Sequence, residues 1–316
     1  MPRPAARPSS ASSSASSSSP DPPSSPPPTL AAETPAPPAS PDAPRPAPGP
    51  RTPLHTSVSL PHFSPPRVVF SYDAKLLDEV LRAQLLHERC VGLDIEWRPT
   101  FISGAPQHRV ALVQVCSPRV CVLVPVRHVP LRKLPSLVAL LEQPTTWKVG
   151  CGVREDARKL HRDLGVVCAP VLELGDSATR LQGEGSVRFP GLPEDEAVRP
   201  GIKGMALACG VQLSKPKSLS RSNWERRPLT QQQQIYASQD AYVGLWLSVC
   251  LHRLATGGSV DFREWLAEQA ARESASQTAK VAEREQRLKE WGVGGSATPG
   301  CFAPHLDARA CIREIA

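Results

Sequence analysis

The stretch CVGLDIEW (residues 90–97) decides the fold class. A short apolar run bounded by polar residues reads as a strand of a buried sheet. On a strand, residues i and i+2 point to the same face, about 7 Å apart along the backbone. Asp94 and Glu96 therefore sit side by side at the end of an otherwise apolar strand. Two like charges there repel unless a cation lies between them. Taken alone, the pair also reads as a strand end turning into solvent.

The pattern continues outward in both directions. RVVFSY (67–72) predicts a short strand, and Asp73 can cap a following helix whose Leu77, Val80, Leu81 and Leu85 share a face. HRVALVQVCS (108–117) and VCVLVPV (120–126) predict a hairpin with SPR as its turn. LPSLVALLEQ (134–143) is a helix stopped by Pro144, TTWKVGCG (145–152) a strand, VREDARKLHRDLG (153–165) a helix ending on Gly165, and VLELGD (171–176) a strand. Residues 182–200 read as loop, 202–210 as a short helix and 211–228 as a basic connection without periodicity. Residues 229–256 form one long helix, capped by Thr230 and ended by Gly257 and Gly258. Helices on a mixed sheet make an α/β layer domain. From 261 to 291 apolar positions are sparse, which predicts a solvated or partner-seeking helix; residues 292–316 are assigned no structure.

Composition sets the limits around this domain. Of 36 prolines, 21 fall in residues 1–66, with 15 serines and no aromatic residue before Phe63. Such a segment cannot offset its ordering entropy by burial, so a disordered tail is expected over 1–66. There is no run of 18 apolar residues and no signal-peptide core, so no membrane span is expected. The nine cysteines contain no CxxC pair, which fits reduced thiols in an intracellular protein better than a disulfide or zinc framework. The expected compartment is the nucleus, with an organelle as the alternative, because the Ser-rich start carries Arg3 and Arg7 and no acid before Asp21. The net charge of +7 falls mostly after residue 66, and a basic folded part is compatible with a polyanionic partner.

Two further motifs carry chemistry. In GCGVRED (150–156) a strand ends in glycines and Asp156 falls in the first turn of the next helix, where the helix dipole alone would also favour an acid. In QIYASQDAY (234–242) Tyr236 and Asp240 are four apart and share a helix face. A strand DxE, a helix-start Asp and a helical YxxxD, in this order, match the signature of the DEDD exonuclease superfamily, its DEDDy branch in particular. Around them VGLDIEW, RVALVQVC, WKVGCGVREDARKL and SNWERRPLTQQQQIYASQDAY resemble the Werner-helicase-type 3'-5' exonuclease domain, with ribonuclease D a more distant relative.

The resemblance covers about residues 67–256 and implies a ribonuclease H-like (DnaQ-like) mixed sheet flanked by helices, with a disordered N-terminal tail and a helical extension over 257–316. It implies two divalent ions, Mg²⁺ or Mn²⁺, held by Asp94, Glu96, Asp156 and Asp240. Asp94 would bridge both, Glu96 and Asp240 would help hold the ion carrying the attacking water, Asp156 would support the other, and Tyr236 would position the water. Hard ions take oxygen ligands, and two of them can generate the nucleophile and stabilise the departing oxygen. Trp97 is a candidate for stacking on the terminal base. Lys217 and Arg221, on a connection that also holds Lys215, Arg226 and Arg227, are candidates for phosphate contacts. Trp224 reads as a packing anchor and Gln114 as structural. Ala157 and Arg158 stand where the Werner-type domain has bulkier side chains, one of them aromatic, which puts a loop- or end-gripping role of that helix in doubt.

The implied partner is a nucleic acid with a 3' end, DNA ahead of RNA. The alternatives are an RNA 3'-end trimmer of the ribonuclease D type and a non-catalytic nucleic-acid-binding module on the same fold. No GxxxxGK[ST] is present, so helicase action would come from a partner in trans.

Overall fold

The computed structural model describes residues 54–55 and 60–290. Among these residues seven strands form one sheet: β1 (Leu54–His55), β2 (Arg67–Phe70), β3 (Cys90–Trp97), β4 (Val110–Cys116), β5 (Val120–Val124), β6 (Trp147–Gly150) and β7 (Val171–Glu173). Their order across the sheet is β1-β2-β5-β4-β3-β6-β7. β3 pairs antiparallel with β4 and parallel with β6, so the sheet is mixed and the strand bearing Asp94 and Glu96 lies inside it. The β4–β5 hairpin closes at the expected turn, Ser117 N donating to Val120 O at 2.8 Å.

Among the described residues eight α-helices flank the sheet: α1 (Ala74–Gln84), α2 (Pro135–Glu142), α3 (Val153–Leu164), α4 (Leu174–Gly183), α5 (Ile202–Ala208), α6 (Lys217–Ser220), α7 (Gln231–Thr256) and α8 (Phe262–Glu290). The two-residue strand period sorts each strand between two apolar layers. Val91, Leu93 and Ile95 of β3 join Leu77, Leu81, Leu137 and Leu160 on one face. Leu112, Cys121 and Leu123 join Ala241, Leu245 and Trp246 of α7 on the other. Gly92 alternates onto the α7 face and its bare backbone lets that helix in; a Cβ there would stand 1.9 Å from Ala241 O.

Local signals operate where expected. Asp73 caps α1 with its side chain, accepting from Lys75 N at 2.9 Å. Thr230 and Gln233 form a reciprocal capping box on α7, and Gly257 ends that helix in the left-handed region.

Several expectations are revised. The strand expected over 171–176 stops at Glu173, and α4 follows at once over residues otherwise without an assignment or taken as loop. The reason is a cap the strand pattern hid: the Glu173 carboxylate accepts from Gly175 N at 3.3 Å. The basic connection of 211–228 contains the single turn α6. The segment expected as tail over 1–66 lies outside the described residues at 1–53 and 56–59. Its Leu54–His55 pairs with β2, Leu60 is buried, and Phe63 lies 6.1 Å from the Tyr242 ring.

The charged helix is also more than a solvated rod, for α8 buries Trp265, Leu266 and Gln269. Its sparse apolar residues are concentrated in the first two turns, where Phe262 stacks on Trp265 at 6.0 Å and Arg180 of α4 bonds Gln269. Burying a large apolar side chain contributes about 1.5–3 kcal/mol, enough to seat that end. Residues 292–316 lie outside the described residues. No helix among the described residues is long and apolar enough to cross a membrane.

Candidate active site

Strand alternation, the Gly92 contact and the start of α3 bring the acids together. Asp94 and Glu96 project on the same face as Gly92, toward α7, where Ala241 follows Asp240. Carboxylate oxygens of Asp94, Glu96 and Asp240 all lie within 4.8 Å of one another, Asp240 buried and the other two half-buried. Asp156 stands apart from this trio but close enough for its charge to act on Asp94 and Glu96.

The position of Asp156 depends on a turn that only glycine adopts easily. Gly152, at φ +90°, precedes α3, and its N–H donates to both oxygens of Glu173, at 2.8 and 3.0 Å. Arg154 N adds a bond of 3.4 Å. Glu173 thus anchors the first turn of α3 through the N–H groups that a helix start leaves unpaired. Arg154 ties the same turn to Asp176 of α4 at 2.9 Å and to Glu273 of α8.

The electrostatics follow from this crowding. Burial, then the neighbouring charges of Asp240, Asp156 and Glu96, push the Asp94 carboxyl well above the usual range. Glu96 is raised likewise by burial and Asp240. Asp156 is pushed up to about 8 by burial, then by Glu173 and Glu155. Among the described residues one cation pairs with the trio: Lys215 Nζ lies 2.6 Å from Asp240 Oδ2 and 5.1 Å from the centre of the Tyr236 ring. Burial alone would lower the lysine, but the Asp240 and Asp94 charges outweigh it and raise it. Tyr236, one helical turn before Asp240, is pushed up to about 12 by burial and by Asp240.

The remaining expected residues are dispersed. Trp97 is half-buried, with Lys159 Nζ 4.8 Å from its ring centre. That lysine pairs with Asp163 at 2.8 Å and bonds His108 O at 2.7 Å, so α3 clamps both ends of the loop that leaves β3. Lys217 and Arg221 are exposed on and just after α6 and make no ion pair among the described residues. The cations of this connection do not form one face: Lys215 turns in to Asp240, while Arg227 lies 4.5 Å over the Tyr72 ring. Trp224 is buried against Tyr236, as a packing anchor would be, and Gln114 is fully buried opposite Asp94 with neither amide atom hydrogen-bonded.

Two contributors escaped the sequence reading. Glu173 sat inside an expected strand, and its only signal was an acid just before Gly175. Gln239 lines a cleft of about 510 Å³ that begins at Tyr236, and in sequence it is one of many glutamines in this helix.

Comparison with known proteins agrees with this geometry. A family model described as 3'-5' exonuclease matches residues 68–254. A 3'-5' exonuclease of Arabidopsis thaliana is 36% identical over 173 residues, covering 54% of this chain and 55% of that protein. The bifunctional 3'-5' exonuclease/ATP-dependent helicase WRN of Mus musculus is 34% identical over 186 residues, covering 57% of this chain and 12% of that one. The chain therefore spans about half the length of the first relative and a small part of the second. The crystal structure of the Aedes aegypti Nibbler EXO domain superposes with a TM-score of 0.54 at 23% identity, covering 62% of this chain and 92% of that one. That likeness speaks to the fold, a ribonuclease H-like mixed sheet.

Proposed function

The chain belongs to the 3'-5' exonuclease family, and from that premise we propose that it removes nucleotides from the 3' ends of nucleic-acid strands by two-metal-ion hydrolysis, DNA ahead of RNA. The observation that carries the reading is the trio Asp94, Glu96 and Asp240, with oxygens within 4.8 Å of one another. Carboxylate oxygens are the donor class of Mg²⁺ and Mn²⁺. So much like charge in a partly desolvated place calls for cations, and Lys215 supplies a single positive charge. The donor set therefore fits divalent ions.

Asp94 would hold both ions, Glu96 and Asp240 would complete the site of one, and Asp156 would support the other. When bound, the ions supply an activated water at neutral pH and offset charge on the phosphate and the departing oxygen. Tyr236 stays protonated at pH 7, since burial and Asp240 push it up to about 12. Its hydroxyl therefore orients the water as a hydrogen-bonding group rather than as a base. Lys215 holds Asp240 in the metal-free protein and can turn to the substrate phosphate once Asp240 takes a metal. Lys217 and Arg221 would meet backbone phosphates further along the strand, and Trp97 would stack on a base through the ring face away from Lys159.

The mouse relative joins a 3'-5' exonuclease to an ATP-dependent helicase in one chain, which supports a helicase as a partner in trans. The catalytic domain is assigned to residues 67–256, with α8 packed on it. The test uses matched 5'-labelled DNA and RNA strands with Mg²⁺, with Mn²⁺ and with chelator. A ladder shortening from the 3' end is expected, faster on DNA, and lost both in chelator and in Asp94→Ala. A folded Asp94→Ala protein with full activity would sink the assignment.

A further inference from the structure

The cleft beside Tyr236 is lined by groups that the hydrolysis does not use. It lies between the 211–220 connection and the first turns of α7. Gln212, Ser214, Ser218 and Gln239 form its polar walls, and Leu219 and Ile235 its apolar ones. Among the described residues, no charged side chain lines it. Amides and hydroxyls beside apolar side chains, with no cation among them, can meet the uncharged base of a nucleotide by hydrogen bonds and apolar contact.

Gln239 is the decisive member. It is 8% exposed and makes no side-chain hydrogen bond among the described residues. Its amide atoms stay within reach of solvent, so donor and acceptor are both open on the cleft side. The same helix supplies the contrast in Gln233, which is 2% exposed. Its amide nitrogen donates to Ser222 Oγ at 2.9 Å and to Asn223 O at 3.1 Å, and its Oε1 accepts from Thr230 N at 3.1 Å. In the glutamine that caps α7 the amide is fully committed. Where it faces the cleft it is left open.

Gln239 is three residues from Tyr236, so the two share a helix face. A nucleotide whose phosphate meets the carboxylates beyond Tyr236 would place its base toward this amide. A glutamine amide presents a donor and an acceptor in one plane, the complement of an adenine edge. We propose that the cleft is a base-reading subsite for the strand entering the carboxylate cluster, with Gln239 reading the base edge. This rests on the exonuclease reading and adds a preference among strand ends to a site that otherwise recognises phosphate and a 3' terminus.

The test uses 5'-labelled single strands identical except for three terminal adenines, cytosines, guanines or thymines. The full chain shortens them with Mn²⁺, and fluorescence anisotropy in chelator measures their binding. The wild type is expected to favour the adenine-ended strand about tenfold in rate, the size of one base-edge contact. Gln239→Leu is expected to flatten that spread to about twofold while its Tm holds, because the amide it removes bonds no other group among the described residues. Gln212→Ala, at an exposed position that cannot disturb the core, should narrow the spread and covers the case in which Gln239→Leu does not fold. A flat wild-type profile, or a spread unchanged in both variants, overturns the subsite. A wild type that shortens none of the strands refutes the exonuclease reading instead, and the anisotropy series still decides the subsite.

Discussion

Replacing Gly92 with alanine should separate the two halves of the acidic cluster without touching a carboxylate. The new Cβ would lie 1.9 Å from Ala241 O, 2.8 Å from Ala241 C and 3.1 Å from Leu245 Cβ. Ordinary contact begins at 3.4 Å, and the nearest atom met is backbone, so no rotamer change relieves it. α7 must recede from β3 by about 1.5 Å, the shortfall in that contact, because packed interiors have no slack to absorb it. Overpacking a core costs about 1–3 kcal/mol, and a backbone clash belongs at the upper end. In a domain of this size that is a fall in Tm of about 6–12 °C.

Since Ala241 adjoins Asp240, the same displacement moves Asp240 away from Asp94 and Glu96. A misplacement of about 1 Å can cost about a hundredfold in rate. Thermal melts of the metal-free protein, Mn²⁺ titration and strand-shortening rates read the three consequences. Gly183→Ala is the control, since a Cβ at that helix position meets nothing within 4 Å, and it should be neutral or slightly stabilising. A Gly92→Ala protein melting within about 2 °C of wild type with unaltered Mn²⁺ affinity would refute the close-approach argument.

Three further outcomes follow from the same geometry. Tyr236→Phe should keep Mn²⁺ affinity and lose about tenfold to a hundredfold in turnover, as expected for one positioning hydrogen bond; an unchanged turnover number removes the hydroxyl from the mechanism. Lys215→Met strips the trio of the cation bonded to Asp240, so the metal-free protein should melt lower and gain more in Tm from Mg²⁺ than wild type does. Equal gains would show that the lysine does not stand in for metal charge.

Asp163 adds a pH test. Burial would raise its carboxyl, but the bonds from Lys159 and Val110 N and the charges of Lys159 and Arg162 outweigh it and hold it below its ordinary value. A depressed carboxyl stabilises the fold above its unfolded value of about 4, and that stability is lost as pH falls through the folded one. Asp163→Asn should cost about 2–3 kcal/mol at pH 7, a gap to wild type that closes in urea melts as pH drops below about 4. A gap of the same size at pH 3 would contradict the assignment.

What was legible in the sequence was carried by periodicity and by residues acting on their own neighbours. Asp73, Thr230 and Gly257 cap helices through contacts within a few residues, so their signals survive without the fold. The alternation of β3 places Gly92, Asp94 and Glu96 on one face by backbone geometry alone. α4 was not legible, because its cap Glu173 stands between Leu172 and Leu174 inside a run that reads as strand, and two of its partners, Gly152 and Arg154, lie about twenty residues away. The docking of α8 was hidden for a related reason. Trp265 and Leu266 form too short an apolar patch to register against a long charged helix, yet they meet a surface prepared by α4 and α7.

The acids, the tyrosine and their order along the chain are properties of the sequence, and with them come the kind of chemistry and the class of metal. Which cation faces those acids is not such a property. Lys215, Lys217, Arg221, Arg226 and Arg227 look alike on one basic connection, but packing of that connection against α7 turns Lys215 onto Asp240 and lays Arg227 over Tyr72. Nor can a run of glutamines say which amide is spent on a cap and which is left open to a cleft. These distinctions depend on distances between segments far apart in the chain, and such distances exist only once the sheet and α7 have closed on each other through Gly92.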